Sequence, residues 1–184
     1  MDALDMASSY CMDILSLPTS ESRADGLEEA ASAVNSVLTS ALDNFEMSAN
    51  SSGTGSRFGW SVNPISGRTN VLAGLYDCGI SIVRTNKNQD TVFAAISVPV
   101  MGRIYGSDGT IIIKRTRDSS TGHIVERVFE ARKTIEAAGP DADSLSTGCY
   151  VYDAVLYLEG RTSGLANNAE SPVDRTAVSF ILDQ

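Results

Sequence analysis

A change of hydrophobic period near residue 58 constrains this chain more than any other feature. Before it, apolar residues fall at Leu27, Ala30, Ala31, Val34, Val37, Leu38, Ala41 and Leu42. That spacing predicts an amphipathic helix over Leu27–Phe45. After it, Phe58–Val62, Asp77–Val83, Thr91–Val98 and Gly109–Lys114 are short runs rich in β-branched residues. Turn signals such as Asn86-Lys-Asn-Gln and Gly106-Ser-Asp-Gly bound them, which predicts strands, and Arg103-Ile-Tyr extends the pairing. Ala3–Leu17 predicts a first helix stopped by Pro18. Thr19–Gly26 reads as a polar turn, and Ser48–Ser56 as a Ser/Gly/Asn linker. The spacing of Val125, Val128, Phe129 and Ile135 predicts a helix over His123–Ala138, ended by Gly139-Pro140. Cys149–Glu159 fits helix or strand by pattern alone, and Val173–Leu182 predicts a helix after Pro172. The expected fold class is an α/β or α+β layered sandwich, a mainly antiparallel sheet flanked by helices. It forms one domain over 1–184: a helical part over 1–50, a sheet over 57–115 and a helix-rich part over 123–184.

The chain has 184 residues, enough for one domain with a sizeable core. No apolar run approaches membrane-spanning length. The first residues, Met1-Asp-Ala-Leu-Asp-Met, lack the basic and apolar regions of a signal peptide, so a cytoplasmic protein is expected. Net charge is −9 and unevenly spread. Residues 1–56 carry nine acids and one base (−8), 57–139 seven acids and eleven bases (+4), and 140–184 seven acids and two bases (−5). Such segregation is ordinary solvated surface or head-to-tail complementarity between subunits. The overall acidity argues against nucleic acid as a partner. Cys11, Cys78 and Cys149 are widely spaced and His123 is the sole histidine. No metal-ligand spacing results, and all three thiols are expected buried or half-buried in a reducing compartment.

The stretch Trp60-Ser-Val-Asn-Pro-Ile-Ser-Gly-Arg-Thr-Asn70, with Pro172-Val-Asp174 downstream, resembles the metal-binding signature of the inositol monophosphatase family. That signature runs W-x-[VI]-D-P-[IL]-D-G-[ST]-x-N, followed by P-W-D. Cys78–Val83 and Val92–Tyr105 resemble the family's next two strands. Ser146-Thr-Gly-Cys-Tyr-Val-Tyr-Asp153 is similar to its R-x-x-G-S-A-A-L-D, and Gly160-Arg161 to the end of its A-A-G-R. The resemblance spans residues 25–184 in order and implies an inositol-monophosphatase-like fold. Family members hydrolyse phosphate monoesters with Mg²⁺ held by clustered carboxylates. Here Asn63 and Ser66 stand in place of two metal-binding aspartates, and Asn50-Ser51-Ser52 in place of a glutamate pair. Arg68 replaces the phosphate-contacting residue, and Asn167 a substrate-side acid. Asp174 survives as a ligand-type residue, with Asp25 a second, and the backbone carbonyl of Ile65 is retained.

The implied site, Asn63, Ile65, Ser66, Gly67, Arg68 and Asp174, is therefore a degenerate metal and phosphate site, with no catalytic residue, metal or cofactor expected. Arg68 is read as a phosphate-binding fork or, preferred here, as the partner of Asp174. Asp174 is read as an N-cap once its co-ligands are gone. Ser66-Gly67 could open an anion-binding helix N-terminus. Gly106 and Gly109 read as hairpin turns, and Trp60, Tyr150 and Tyr152 as core or interface packing. The family also carries more chain at both ends and between Tyr105 and Ser144. The expected function is a non-catalytic structural or interaction protein, a pseudoenzyme bound to other protein subunits in a larger assembly such as a virus or phage particle. No membrane contact is expected. The alternatives are a phosphate or sugar-phosphate binding module and a Mg²⁺-dependent phosphomonoesterase.

Overall fold

The computed structural model of the chain describes residues 2–50, 59–118, 120–130, 146–166 and 169–184. Two helices open it, α1 (Asp2–Leu15) and α2 (Ser20–Asn50). The predicted polar turn at Thr19–Gly26 is mostly helix instead. Thr19 and Ser22 explain this. The Ser22 amide donates to Thr19 Oγ1 at 3.1 Å, and the Thr19 amide to Ser22 Oγ at 3.2 Å. This reciprocal cap satisfies amides that a helix start leaves without partners. At Gly26 the chain just after α1 passes close to α2. A Cβ on Gly26 would lie 2.8 Å from Leu17 Cδ1. Of the predicted linker, Ser48–Asn50 belongs to α2, and residues 51–56 lie outside the described residues.

Six strands follow: β1 (Gly59–Ser66), β2 (Gly79–Thr85), β3 (Thr91–Val98), β4 (Arg103–Ser107), β5 (Ile112–Arg117) and β6 (Ile124–Phe129). They form one sheet in the order β1-β2-β3-β4-β5-β6, every neighbouring pair antiparallel. A short helix α3 (Arg68–Ala73) joins β1 to β2, and helices α4 (Tyr150–Leu158) and α5 (Pro172–Leu182) complete the described fold. Cys149–Glu159 thus resolves as helix. The chain is an α+β protein, and its sheet reaches residue 129 rather than 115.

The helix expected over His123–Ala138 is corrected at residues 124–129, which form β6. Residues 131–138 lie outside the described residues. Val125, Val128 and Phe129 suit a helix by spacing, but Ile124, Val125 and Val128 are β-branched and find a paired edge on β5. Gly106 also moves. It lies inside β4, opposite Ala95, while Gly109 keeps its turn with φ 87°.

Strand alternation divides the core into two layers. Ile80, Ile82, Ala95 and Ile104 pack under α1 and α2 with Val34 and Leu38. Val83, Ala94, Ile96, Val98 and Tyr105 face α4 and α5, packing against Val151, Val155, Val178 and Ile181. Each such fully buried aliphatic contributes about 1.5–3 kcal/mol. No helix among the described residues is long and apolar enough to cross a membrane. Cys11, Cys78 and Cys149 are free and buried.

Charges from different segments meet inside the chain. Asp5 of α1 pairs with Arg115 at 2.7 Å and Arg117 at 3.7 Å. Glu159, just after α4, accepts from Lys114 Nζ at 2.5 Å, Tyr105 Oη at 2.7 Å and Arg103 Nε at 3.2 Å. Acidic ends and basic middle are thus joined within one molecule.

Candidate functional site

The bulge that ends β1 sets the geometry of the site. Register slips between Asn63 and Ser66, with Pro64 in the gap. A bulge re-aims side chains, and proline is tolerated there because no ladder amide is needed. Asn63 faces the layer of α5, and Ile65 is buried on the other side in the core under α1 and α2.

Asp174 lies in the first turn of α5, where the helix dipole favours a carboxylate. It is 1% exposed. Its Oδ1 accepts from Asn63 Nδ2 at 2.9 Å and from Ser81 Oγ at 2.6 Å. Asp174 is not the N-cap. Ser171 is, its Oγ accepting from the Val173 amide at 3.2 Å, with Pro172 at the first helical position. The three side chains tie β1, β2 and α5 together through a buried anion held by neutral donors.

Arg68 does not reach Asp174. It forms an ion pair with Glu28 on α2, both side chains well exposed at 42% and 74%. An arginine placed in water beside a solvated glutamate needs no buried partner, and such a pair contributes little. Asp25 is exposed on α2. Asn167 lies outside the described residues, as do Ser51 and Ser52.

Ser66 is 4% exposed and accepts a weak hydrogen bond from Cys149 Sγ at 3.5 Å. Burial pushes the Cys149 thiol up to about 12, so it is no nucleophile at neutral pH. Gly67 adopts φ 76°, and a Cβ there would lie 2.7 Å from Cys149 Cβ and 2.8 Å from the Asp77 carbonyl oxygen. Only glycine fits this corner. The helix that follows has six residues, too short for a strong terminal dipole.

Asn70 is a keystone of the same region. Its Nδ2 donates to the Asp77 carbonyl at 2.9 Å and the Thr147 carbonyl at 3.0 Å. Asp153 in turn accepts from the Thr147 amide at 3.0 Å and from Thr147 Oγ1 at 2.8 Å. Sequence reasoning missed Ser81 and Thr147. Ser81 carried a signal, a lone hydroxyl in the apolar run Ile80-Ser-Ile-Val.

The donor set does not fit Mg²⁺. The side chains that meet the Asp174 carboxylate are the Asn63 amide and the Ser81 hydroxyl, whereas Mg²⁺ gives up water only to anionic oxygens in near-ideal geometry. The 2.9 Å contact between Asn63 and Asp174 leaves no space for a cation between them. Among the described residues, no three His, Cys, Asp or Glu side chains cluster to hold a metal. The sequence matches no protein-family model and no curated protein.

Proposed function

We propose that this chain is a non-catalytic interaction protein carrying a degenerate inositol-monophosphatase-like fold. The observation that carries the reading is the state of Asp174. In a metal-dependent phosphatase that carboxylate must be available to a cation. Here its Oδ1 is taken by Asn63 and Ser81. The arrangement of two helices, a strand ending at the Asn63–Gly67 corner, and Asp174 in the first turn of a late helix supports the family resemblance. Among the described residues no cluster of carboxylates stands by Asp174 to hold a metal that would neutralise a transferring phosphoryl group, and that term supplies most of such catalysis.

The subunit role is supported by β6. Among the described residues it pairs only with β5. It exposes Ile124 at 38%, Val125 at 48% and Val128 at 59%. The opposite edge, β1, carries Pro64 and a bulge, which discourage pairing. One protected edge and, at the far side of the sheet, one apolar edge suit a chain that docks other protein through β6. Charge is a weaker support, because Asp5 and Glu159 find their cations within the chain.

Phosphate release from inositol monophosphate, measured with Mg²⁺ before and after adding a chelator, tests the catalytic half. Background release in both is expected. Turnover abolished by the chelator would overturn the reading in favour of a working phosphatase.

A further inference from the structure

On the face of the sheet away from Asp174, a cavity of about 520 Å³ lies between the strands and the α1–α2 pair. Protein interiors are close-packed, and voids much larger than a water are few. A space this size falls in the range of small-molecule sites. Ile82 and Ile113 line it from the strands, and Leu38 and Leu42 from α2. Trp60 and Phe93 also line it, their rings meeting edge to face with centroids 6.1 Å apart.

The cavity reaches the sheet at Gly106, and nothing in the backbone requires glycine there. Gly106 lies inside β4, in unbroken register with Ala95 on β3 and Ile113 on β5, so it marks no bulge. It is not among the glycines with positive φ. A Cβ at this position would meet Phe93, Ala95 and the Ala94 carbonyl at 3.6, 3.7 and 3.8 Å, which is ordinary contact. Glycine inside a strand costs entropy and gives up packing. Without a bulge or a left-handed turn to explain it, such a glycine marks a place where something else approaches the sheet. The helix side of the wall includes Ala3 and Ala41, so both layers withhold side chains from the same space.

The charged residues of the wall are already engaged. Arg84 lies over the Trp60 ring, 5.3 Å from its centroid. Asp108 Oδ1 accepts from the Thr110 and Ile111 amides at 3.0 and 3.4 Å, and Glu126 accepts from Arg115 at 2.7 Å. Both acids are exposed, at the edge of the cavity. A charged guest would find no uncommitted counter-charge among the described residues, and burying a charge unpaired is costly. For an anion the two acids add repulsion.

We propose that this cavity binds an uncharged aliphatic molecule, its chain laid over Gly106 between Ile82 and Ile113. The site is separate from the Asp174 region and does not depend on the catalytic state of the chain. Burial of the hydrocarbon supplies the affinity. Apolar cavities hold water poorly and take up apolar guests.

Trp60 is the only tryptophan and lines the cavity, so its emission reports on the site. The experiment titrates the full chain with 1-octanol, octanoate and octylammonium, which share a tail and differ in charge. 1-Octanol is expected to give a saturable change in emission and to bind at least about tenfold more tightly than either ion. It should also raise the urea midpoint of the parent chain. Gly106→Leu and Ala41→Phe fill the space from the sheet and from the helix. Each should abolish the saturable change and the octanol-induced rise. Each should unfold at a midpoint at or above that of the parent, because filling a void adds contacts. No saturable change in the parent would overturn the proposal, as would either ion binding as tightly as the alcohol. Midpoints of both variants below that of the parent would mean that the space is not there. Undiminished octanol binding by a variant as stable as the parent would place the guest elsewhere. Either of these results also overturns the proposal.

Discussion

Asn63 and Asp174 lie 111 positions apart and share a 2.9 Å hydrogen bond, the amide donating and the carboxylate accepting. An amide at position 63 donates to the carboxylate, where a second acid would repel it. The bond joins the bulge of β1 to the first turn of α5 directly. Ser81 completes it from β2.

Removing a donor from this clamp should destabilise the fold. Ser81→Ala is expected to cost about 2 kcal/mol, because a hydrogen bond to a buried charge is lost. Asn63→Asp should cost more, about 3 kcal/mol at neutral pH, since two carboxylates would then stand in contact. Its sign with pH is distinctive. Repulsion raises one folded-state carboxyl above its unfolded value, so the variant regains stability as pH falls. Urea unfolding at neutral and mildly acidic pH measures both effects. A variant whose deficit is the same at both pH values would contradict the geometry.

The cluster around Glu159 predicts acid sensitivity in the parent chain. Burial works against the charged form. Hydrogen bonds from Lys114 and Tyr105, with the nearby cations, outweigh it and hold the carboxyl below its usual range. A depressed folded-state value contributes stability above the unfolded pKa of about 4.3, and loses it as pH falls through the folded value. Glu159→Gln should remove that pH dependence. It should also cost about 3 kcal/mol by leaving Lys114 buried at 6% exposure without its anion. Thermal melts from pH 7 down to pH 3 give the comparison.

The three thiols should be unreactive in the native state. Burial pushes Cys11 and Cys149 up to about 12 and raises Cys78 as well. Alkylation by iodoacetamide at pH 8 is expected only after denaturant is added. Rapid labelling of any one of the three in the folded chain would contradict its placement.

Much of this architecture was legible because local pattern and tertiary context agree. Thr91–Val98 belongs to the runs rich in β-branched residues and bounded by turns, and it forms a strand over those same residues. Val173–Leu182 follows proline, and its helix starts at that proline. Patterns failed where context decides. The apolar spacing of Val125, Val128 and Phe129 suits a helix, but β5 offers a ladder that only a strand can use. The start of α2 depended on two hydroxyls exchanging hydrogen bonds, in a stretch whose composition resembles a turn. In the site, Asn63 and Asp174 were found through the resemblance, whereas the partner of Arg68 was not. Glu28 is 40 positions away, and exposed ion pairs leave no mark in sequence.

The apolar edge should show itself as self-association through β6. Val128 is 59% exposed, so Val128→Lys adds charge at the edge without opening the core. Sedimentation velocity of the parent chain over a range of concentrations should show mass increasing with concentration. The variant should remain monomeric with unchanged thermal stability. Because apolar contact drives the association, raised salt should not dissolve it. A parent chain that is monomeric throughout would contradict the docking role of β6.

The most direct measurement is calorimetric titration of the chain with Mg²⁺ at neutral pH. The bond between Asn63 and Asp174 occupies the position a cation would need, so no saturable heat is expected and the melting temperature should not change with Mg²⁺. Saturable Mg²⁺ binding that disappears on Asp174→Asn would contradict the account, because it would mean that Asp174 releases Asn63 and Ser81 to ligate metal.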